Sequence, residues 1–124
     1  MYRVFLVEDS AVVRQRVLEL LGSIDGVNTI GSATTANDAE RAILQAQPDA
    51  VLLDIKLAQG SGFDVLRSLR KQAPHIEIYM LSNFTAQPYR ERAASLGARG
   101  FFDKTNEIER LRQTMAARAA QSTH

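Results

Sequence analysis

Apolar residues alternate along this chain between two modes. Short apolar runs occupy Val4–Val7, Ala50–Leu53 and Ile76–Leu81, with shorter candidates at Val27–Ile30 and Arg99–Phe102. Runs of this length predict strands buried on both faces, as in a parallel sheet held between helices. Between them the spacing turns helical. Val13, Val17, Leu20 and Leu21 share one face of a segment that Ser10 is placed to cap. Ala39, Ile43 and Leu44 form a second such face, ended by Pro48, and Val65, Leu66 and Leu69 a third, closed before Pro74. Pro88 suits the first turn of a fourth helix that ends at Gly97. Ile108, Leu111 and Met115 mark a fifth, with Thr105 or Asn106 as its cap. Strand followed by helix, five times over, predicts an α/β fold with a parallel sheet and right-handed crossovers. No repeat or long linker interrupts it, and only Gln121–His124 reads as a frayed tail.

Composition narrows the function. A chain of 124 residues, 45% apolar and 23% charged, has the size and balance of one soluble domain that folds without covalent staples. Fifteen Lys and Arg against fourteen Asp and Glu leave a net charge of +1, which argues against direct nucleic-acid or membrane binding. The absence of cysteine excludes disulfides, thiol catalysis and Cys-ligated metal sites. No apolar run is long enough to cross a bilayer, and Met1-Tyr2-Arg3 opens no signal peptide, so the expected compartment is the cytoplasm.

In an open parallel sheet, ligands bind beyond the carboxyl ends of the strands. The first strand ends in Glu8-Asp9, the third in Asp54, the fourth in Ser82, and the fifth runs into Asp103-Lys104. Taken singly, each group is ordinary: loop acids, a strand-end hydroxyl, a surface lysine. Together they place three carboxylates, a hydroxyl and an ammonium at one sheet edge. Carboxylates crowded in this way repel one another unless they are neutralised, and a hard divalent cation such as Mg²⁺ is the natural partner. Lys104 supplies a point charge for a phosphoryl group and Ser82 a hydrogen bond. The set fits phosphoryl transfer onto a carboxylate.

Val7-Glu8-Asp9-Ser10, Val51-Leu52-Leu53-Asp54-Ile55, Met80-Leu81-Ser82 and Phe101-Phe102-Asp103-Lys104, in this order and with Leu96-Gly97-Ala98 before the fifth strand, give the chain its resemblance to a known family. Over essentially its whole length it resembles the receiver domain of two-component response regulators, of the chemotaxis-receiver kind. The resemblance implies a flavodoxin-like (βα)5 fold with strand order 2-1-3-4-5 and helices on both faces. It implies that Asp54 is the phosphoacceptor and that Mg²⁺ is held by Glu8, Asp9, Asp54 and the backbone carbonyl of Lys56. Ser82 would bond the phosphoryl oxygen, Lys104 would pair with it, and Ser82 and Phe101 would form the switch. Lys56 and Phe84, two residues past Asp54 and Ser82, would line the mouth of the site and tune hydrolysis of the aspartyl phosphate. The implied donor is a histidine kinase or histidine phosphotransfer protein, and the implied output is the face of the fourth helix, fifth strand and fifth helix. On this reading the domain catalyses only its own phosphorylation and dephosphorylation.

Two positions depart from the family pattern: Ala58 stands where proline is common after the acceptor, and Thr105 where proline often follows the lysine. Neither removes a catalytic group, and Gly62 keeps the turn into the third helix. Rival readings fit less well. A haloacid-dehalogenase-like phosphatase needs a second Asp where Lys56 stands, and Glu8-Asp9 would repel the phosphate of a flavin or nucleotide. A receiver-like scaffold that binds without phosphorylation usually lacks an acid or the lysine, and none is missing here. The expected unit is one receiver domain over 1–124, with Met1 and the short polar tail favouring a stand-alone protein. The alternative is a piece of a longer DNA-binding regulator. Arg90, Arg92, Arg110, Arg112 and Arg118, beside Ala116, Ala117, Ala119 and Ala120, read as a solvated basic face. The sharper alternative is that this face docks an acidic partner or a second copy in a phosphorylation-dependent homodimer.

Overall fold

The computed structural model describes residues 1–122. Among them strands and helices alternate: β1 (Tyr2–Val7), α1 (Ala11–Gly22), β2 (Val27–Ala33), α2 (Ala36–Ala46), β3 (Ala50–Leu53), α3 (Gly62–Gln72), β4 (Glu77–Ser82), α4 (Gln87–Ser95), β5 (Gly100–Asp103) and α5 (Ile108–Gln121). The strands pair in parallel in the order β2-β1-β3-β4-β5, as the resemblance implies.

Successive strand residues point to opposite faces of a sheet, and the core divides accordingly. Phe5, Val7, Val51, Leu53, Ile78, Met80 and Phe101 pack on one side with the buried residues of α2, α3 and α4. Val4, Leu6, Ala50, Leu52, Tyr79, Leu81 and Phe102 pack on the other with α1 and α5. This two-sided burial is why the strands read as unbroken apolar runs.

β2 extends past the expected Val27–Ile30 to Ala33, because its edge position tolerates the polar Ser32 and the small Gly31. Gly31 lies under the Phe5 ring, where an added Cβ would come within 2.9 Å of a ring carbon.

Capping explains most helix starts. The Ser10 hydroxyl accepts from Val13 N, Thr35 from Asp38 N, and Ser61 from Phe63 N. α4 has no side-chain cap, carries Pro88 in its first turn, and buries Ala93 alone. Gly97, at φ +98°, follows its C-cap Leu96. Two expectations are corrected. Neither Thr105 nor Asn106 caps α5: both backbone N–H groups go to Asp103 Oδ1, at 2.7 and 3.2 Å, and Glu107 takes the N-cap position. Within the expected tail, Gln121 closes α5 and Ser122 donates to Arg118 O, while Thr123 and His124 lie outside the described residues.

The ladder continues one residue beyond the strands at their carboxyl ends. Glu8 N donates to Ala33 O, Asp54 N to Val7 O, and Lys104 N to Ser82 O. Three of the chemistry-bearing residues are thus set in register by the sheet itself.

Candidate functional site

Asp54 stands at the end of the central strand and is 5% exposed. Its carboxylate is held from two sides: Oδ1 accepts from Ile55 N at 2.7 Å and Oδ2 from Lys104 Nζ at 2.6 Å. The turn after it is fixed by Gly62 N, which donates to Ile55 O at 2.7 Å. Gly62 is needed for that approach, since a Cβ there would sit 2.0 Å from Asp54 O.

Glu8, Asp9 and Asp54 each place a carboxylate oxygen within 4.8 Å of the others. Glu8 is buried and Asp9 exposed, so the cluster opens to solvent on the Asp9 side. One Glu8 oxygen accepts from Ser10 N. The other lies 2.6 Å from Lys104 Nζ but off the line of a hydrogen bond, which leaves it buried without a directed donor. Burial pushes the Glu8 carboxyl above its usual range, with Lys104 and Ser10 N opposing the shift and the Asp54 charge adding to it. Burial also works against the Lys104 ammonium, but its hydrogen bond to Asp54 and its close pairing with the Glu8 carboxylate outweigh it and hold the lysine above its ordinary value. One ammonium among three carboxylates leaves an excess of negative charge. An under-satisfied buried carboxylate oxygen in an all-oxygen donor set fits a hard divalent cation.

Ser82 is fully buried at the end of β4, and its hydroxyl accepts from Phe84 N at 3.1 Å. The Ser82 proton therefore remains free to be donated. Phe84, 39% exposed, packs against Tyr89 with ring centroids 5.4 Å apart. With Lys56, Ile55, Gly60 and Ser61 they line a shallow pocket of about 270 Å³. The pocket brings together Lys56 and Phe84 and adds Tyr89, which sequence reasoning missed. Its signal was the spacing of Tyr89 five residues after Phe84 across the start of α4. Phe101 is buried in the core on the α4 side of the sheet, with the Arg90 guanidinium 4.7 Å from its ring centroid.

The basic face is solvated in part, with Arg92 and Arg110 exposed and Arg90, Arg112 and Arg118 half-buried, and each of these arginines also meets a partner within the chain. Arg90 meets Glu107 and Phe101, Arg92 lies over Phe63, and Arg110 lies over Phe102 and donates to Phe101 O. Arg112 meets Glu109 and Ser23, and Arg118 grips Glu77 at 2.6 Å. Ala119, expected on that face, is buried. Glu107, also missed, ties Arg90, Arg110 and Asp103 N together. Its spacing three residues before Arg110 was the available signal.

Among the described residues no helix is long and apolar enough to cross a membrane. The profile of the response regulator receiver domain matches residues 4–116. The DNA-binding transcriptional activator DevR/DosR of Mycobacterium tuberculosis is 32% identical over 104 residues, covering 84% of this chain and 48% of that protein. The response regulator GacA of Pseudomonas aeruginosa is 27% identical over 115 residues, covering 93% of this chain and 54% of its own. The chain spans about half the length of these curated relatives. Among solved structures, a LuxR-family two-component response regulator from Aurantimonas sp. SI85-9A1 superposes with a TM-score of 0.88 at 25% identity, covering 96% of this chain and 85% of that one.

Proposed function

The chain belongs to the response regulator receiver family, and from that premise we propose that Asp54 accepts a phosphoryl group from a phosphohistidine donor in a Mg²⁺-dependent reaction. The observation that carries this reading is the pinned, buried Asp54 carboxylate beside two further acids and Lys104. An Asp54 oxygen forms the new P–O bond, the P–N bond of the donor breaks, and its electron pair returns to the imidazole. Lys104, drawn to Asp54 in the resting site, pairs with a phosphoryl oxygen once that carboxylate is esterified. Ser82 donates its free proton to another phosphoryl oxygen while still accepting from Phe84 N. Glu8, Asp9, Asp54 and the Lys56 carbonyl would hold Mg²⁺, which supplies charge neutralisation at the transferring group. The domain catalyses only its own phosphorylation and autodephosphorylation. The phosphodonor is a histidine kinase or phosphotransfer protein in the cytoplasm, and the face of α4, β5 and α5 signals to an output protein.

A second reading is favoured by the length of the curated relatives, of which the match spans only 48% and 54%. Residues 1–124 are then the receiver portion of a longer DNA-binding regulator, with the same chemistry at Asp54. Reading the coding sequence beyond codon 124 separates the two.

Incubation with acetyl phosphate and Mg²⁺, followed by peptide mapping, tests the acceptor. Label confined to the peptide that carries Asp54 is expected. Label that persists in Asp54→Asn overturns the assignment.

A further inference from the structure

α4 carries a linkage that the chemistry at Asp54 does not use. Arg90 Nε donates to the Thr85 carbonyl at 2.9 Å, its guanidinium carbon lies 4.7 Å from the Phe101 centroid, and Nη2 is 3.4 Å from Glu107 Oε1. That same Glu107 oxygen accepts from Asp103 N at 2.9 Å, while Oε2 lies 3.5 Å from Arg110 Nε. Arg110 in turn donates to Phe101 O at 2.7 Å. One guanidinium therefore touches the loop that follows Ser82, the ring of Phe101 and the N-cap residue of α5.

We infer that Arg90 is the coupling residue of the switch: with Asp54 unmodified it ties Thr85 to Glu107 across the Phe101 ring, and phosphorylation of Asp54 opens the Arg90–Glu107 pair. The inference rests on the reading of Asp54 as phosphoacceptor. A Ser82 hydroxyl drawn to a phosphoryl oxygen takes Phe84 N with it, because the two are hydrogen-bonded. Thr85, the next residue, then moves its carbonyl away from Arg90 Nε. Phe101 is buried, and the Arg90 guanidinium covers its ring from the side of α4. The Arg90–Glu107 contact is long for a polar pair, at 3.4 Å, and its partners are 32% and 26% exposed. α4 has a single buried residue and no side-chain cap, so its displacement disturbs little packing.

Linkage is reciprocal: a pair present only in the unmodified state opposes the modified one, and its removal favours that state. The test follows backbone amide shifts of ¹⁵N-labelled protein during titration with Mg²⁺ and beryllium fluoride as the phosphoryl mimic. In wild type, shifts are expected at Ser82 and Lys104 and also at Glu107 and Arg110. In Arg90→Ala the response at Ser82 and Lys104 persists, that at Glu107 and Arg110 is lost, and the mimic binds about two- to fivefold more tightly, the range set by a half-exposed ion pair. Glu107→Gln, which keeps the side-chain shape, is expected to tighten binding likewise. An undiminished response at Glu107 and Arg110 in Arg90→Ala, or unchanged affinity in both variants, overturns the coupling role while leaving Asp54 as acceptor. No response at Ser82 and Lys104 in wild type overturns the acceptor reading and this inference with it.

Discussion

Gly62 shows how tightly the acceptor is boxed in. The first residue of α3 passes so close to the Asp54 backbone that a Cβ would lie 2.0 Å from the Asp54 oxygen and 2.9 Å from its carbonyl carbon. Backbone cannot yield as a side-chain tip can. Gly62→Ala is therefore expected to lose about 2 kcal/mol or more in urea unfolding, the upper range for overpacked sites. The pocket mouth works on a different quantity. Phe84 is bulky, lacks a hydrogen-bonding side chain and lies beside Lys56; on the proposed reading it would block an in-line water and offer it no base. Phe84→Gln is expected to speed decay of the phosphorylated form about tenfold, a barrier change of about 1.4 kcal/mol. Equal decay in the two proteins would show that Phe84 does not gate the water. At this scale the site residues were legible because each ends an apolar run. Tyr89 and Glu107 were not, because their roles depend on neighbours brought in by α4 and the turn after β5.

The helices are held by different means, and this decides what the sequence can reveal about them. Ser10 and the proline and glycine limits of the helices were readable because these signals act within a few residues of the helix end. The α5 start was misread because Asp103 takes the N–H groups of Thr105 and Asn106, a competition that composition does not show. The five arginines on α4 and α5 stay partly solvated, and the carboxylates, rings and carbonyls they also meet are set only when the sheet assembles. The clearest case pins α5 to the far edge of the sheet. Glu77 at the start of β4 accepts from Tyr2, Tyr79 and Arg118, and Arg99 lies 3.5 Å away. Burial alone would raise the Glu77 carboxyl, but the hydrogen bonds from Arg118, Tyr2 and Tyr79 and the Arg118 charge outweigh it and hold it below the ordinary 4.5. A depressed carboxylate contributes stability that is complete above its unfolded value and is lost as the pH falls through its folded value. Glu77→Gln should thus cost about 1–2 kcal/mol at neutral pH, between exposed and buried pairs. The difference from wild type should shrink only below about pH 4.5. A constant difference across the acid limb would contradict the assignment.

For the molecule as a whole, fold class followed from the alternation of runs and helical faces, because burial on both sides of a parallel sheet leaves that imprint. Strand order did not follow from it. Nothing in a strand's own composition says that β1 sits between β2 and β3, and the order entered through the family resemblance. The site depends on that order, since it sets Glu8 beside Asp54 and Ser82 beside Lys104 across neighbouring strand ends. Two of the three carboxylates are buried, with one ammonium among the set, so the sheet edge carries an excess of negative charge that a further cation would offset, and a transferred phosphoryl group would add to that excess. The most direct measurement is the intact mass of the protein after exposure to a phosphodonor, with Mg²⁺ or with a chelator, for wild type, Asp9→Ala and Asp54→Asn. One added phosphoryl group in wild type with Mg²⁺, slow addition in Asp9→Ala, and none in Asp54→Asn or under chelation is the expected result. A full phosphoryl group on Asp54→Asn, or equal labelling without Mg²⁺, would contradict it.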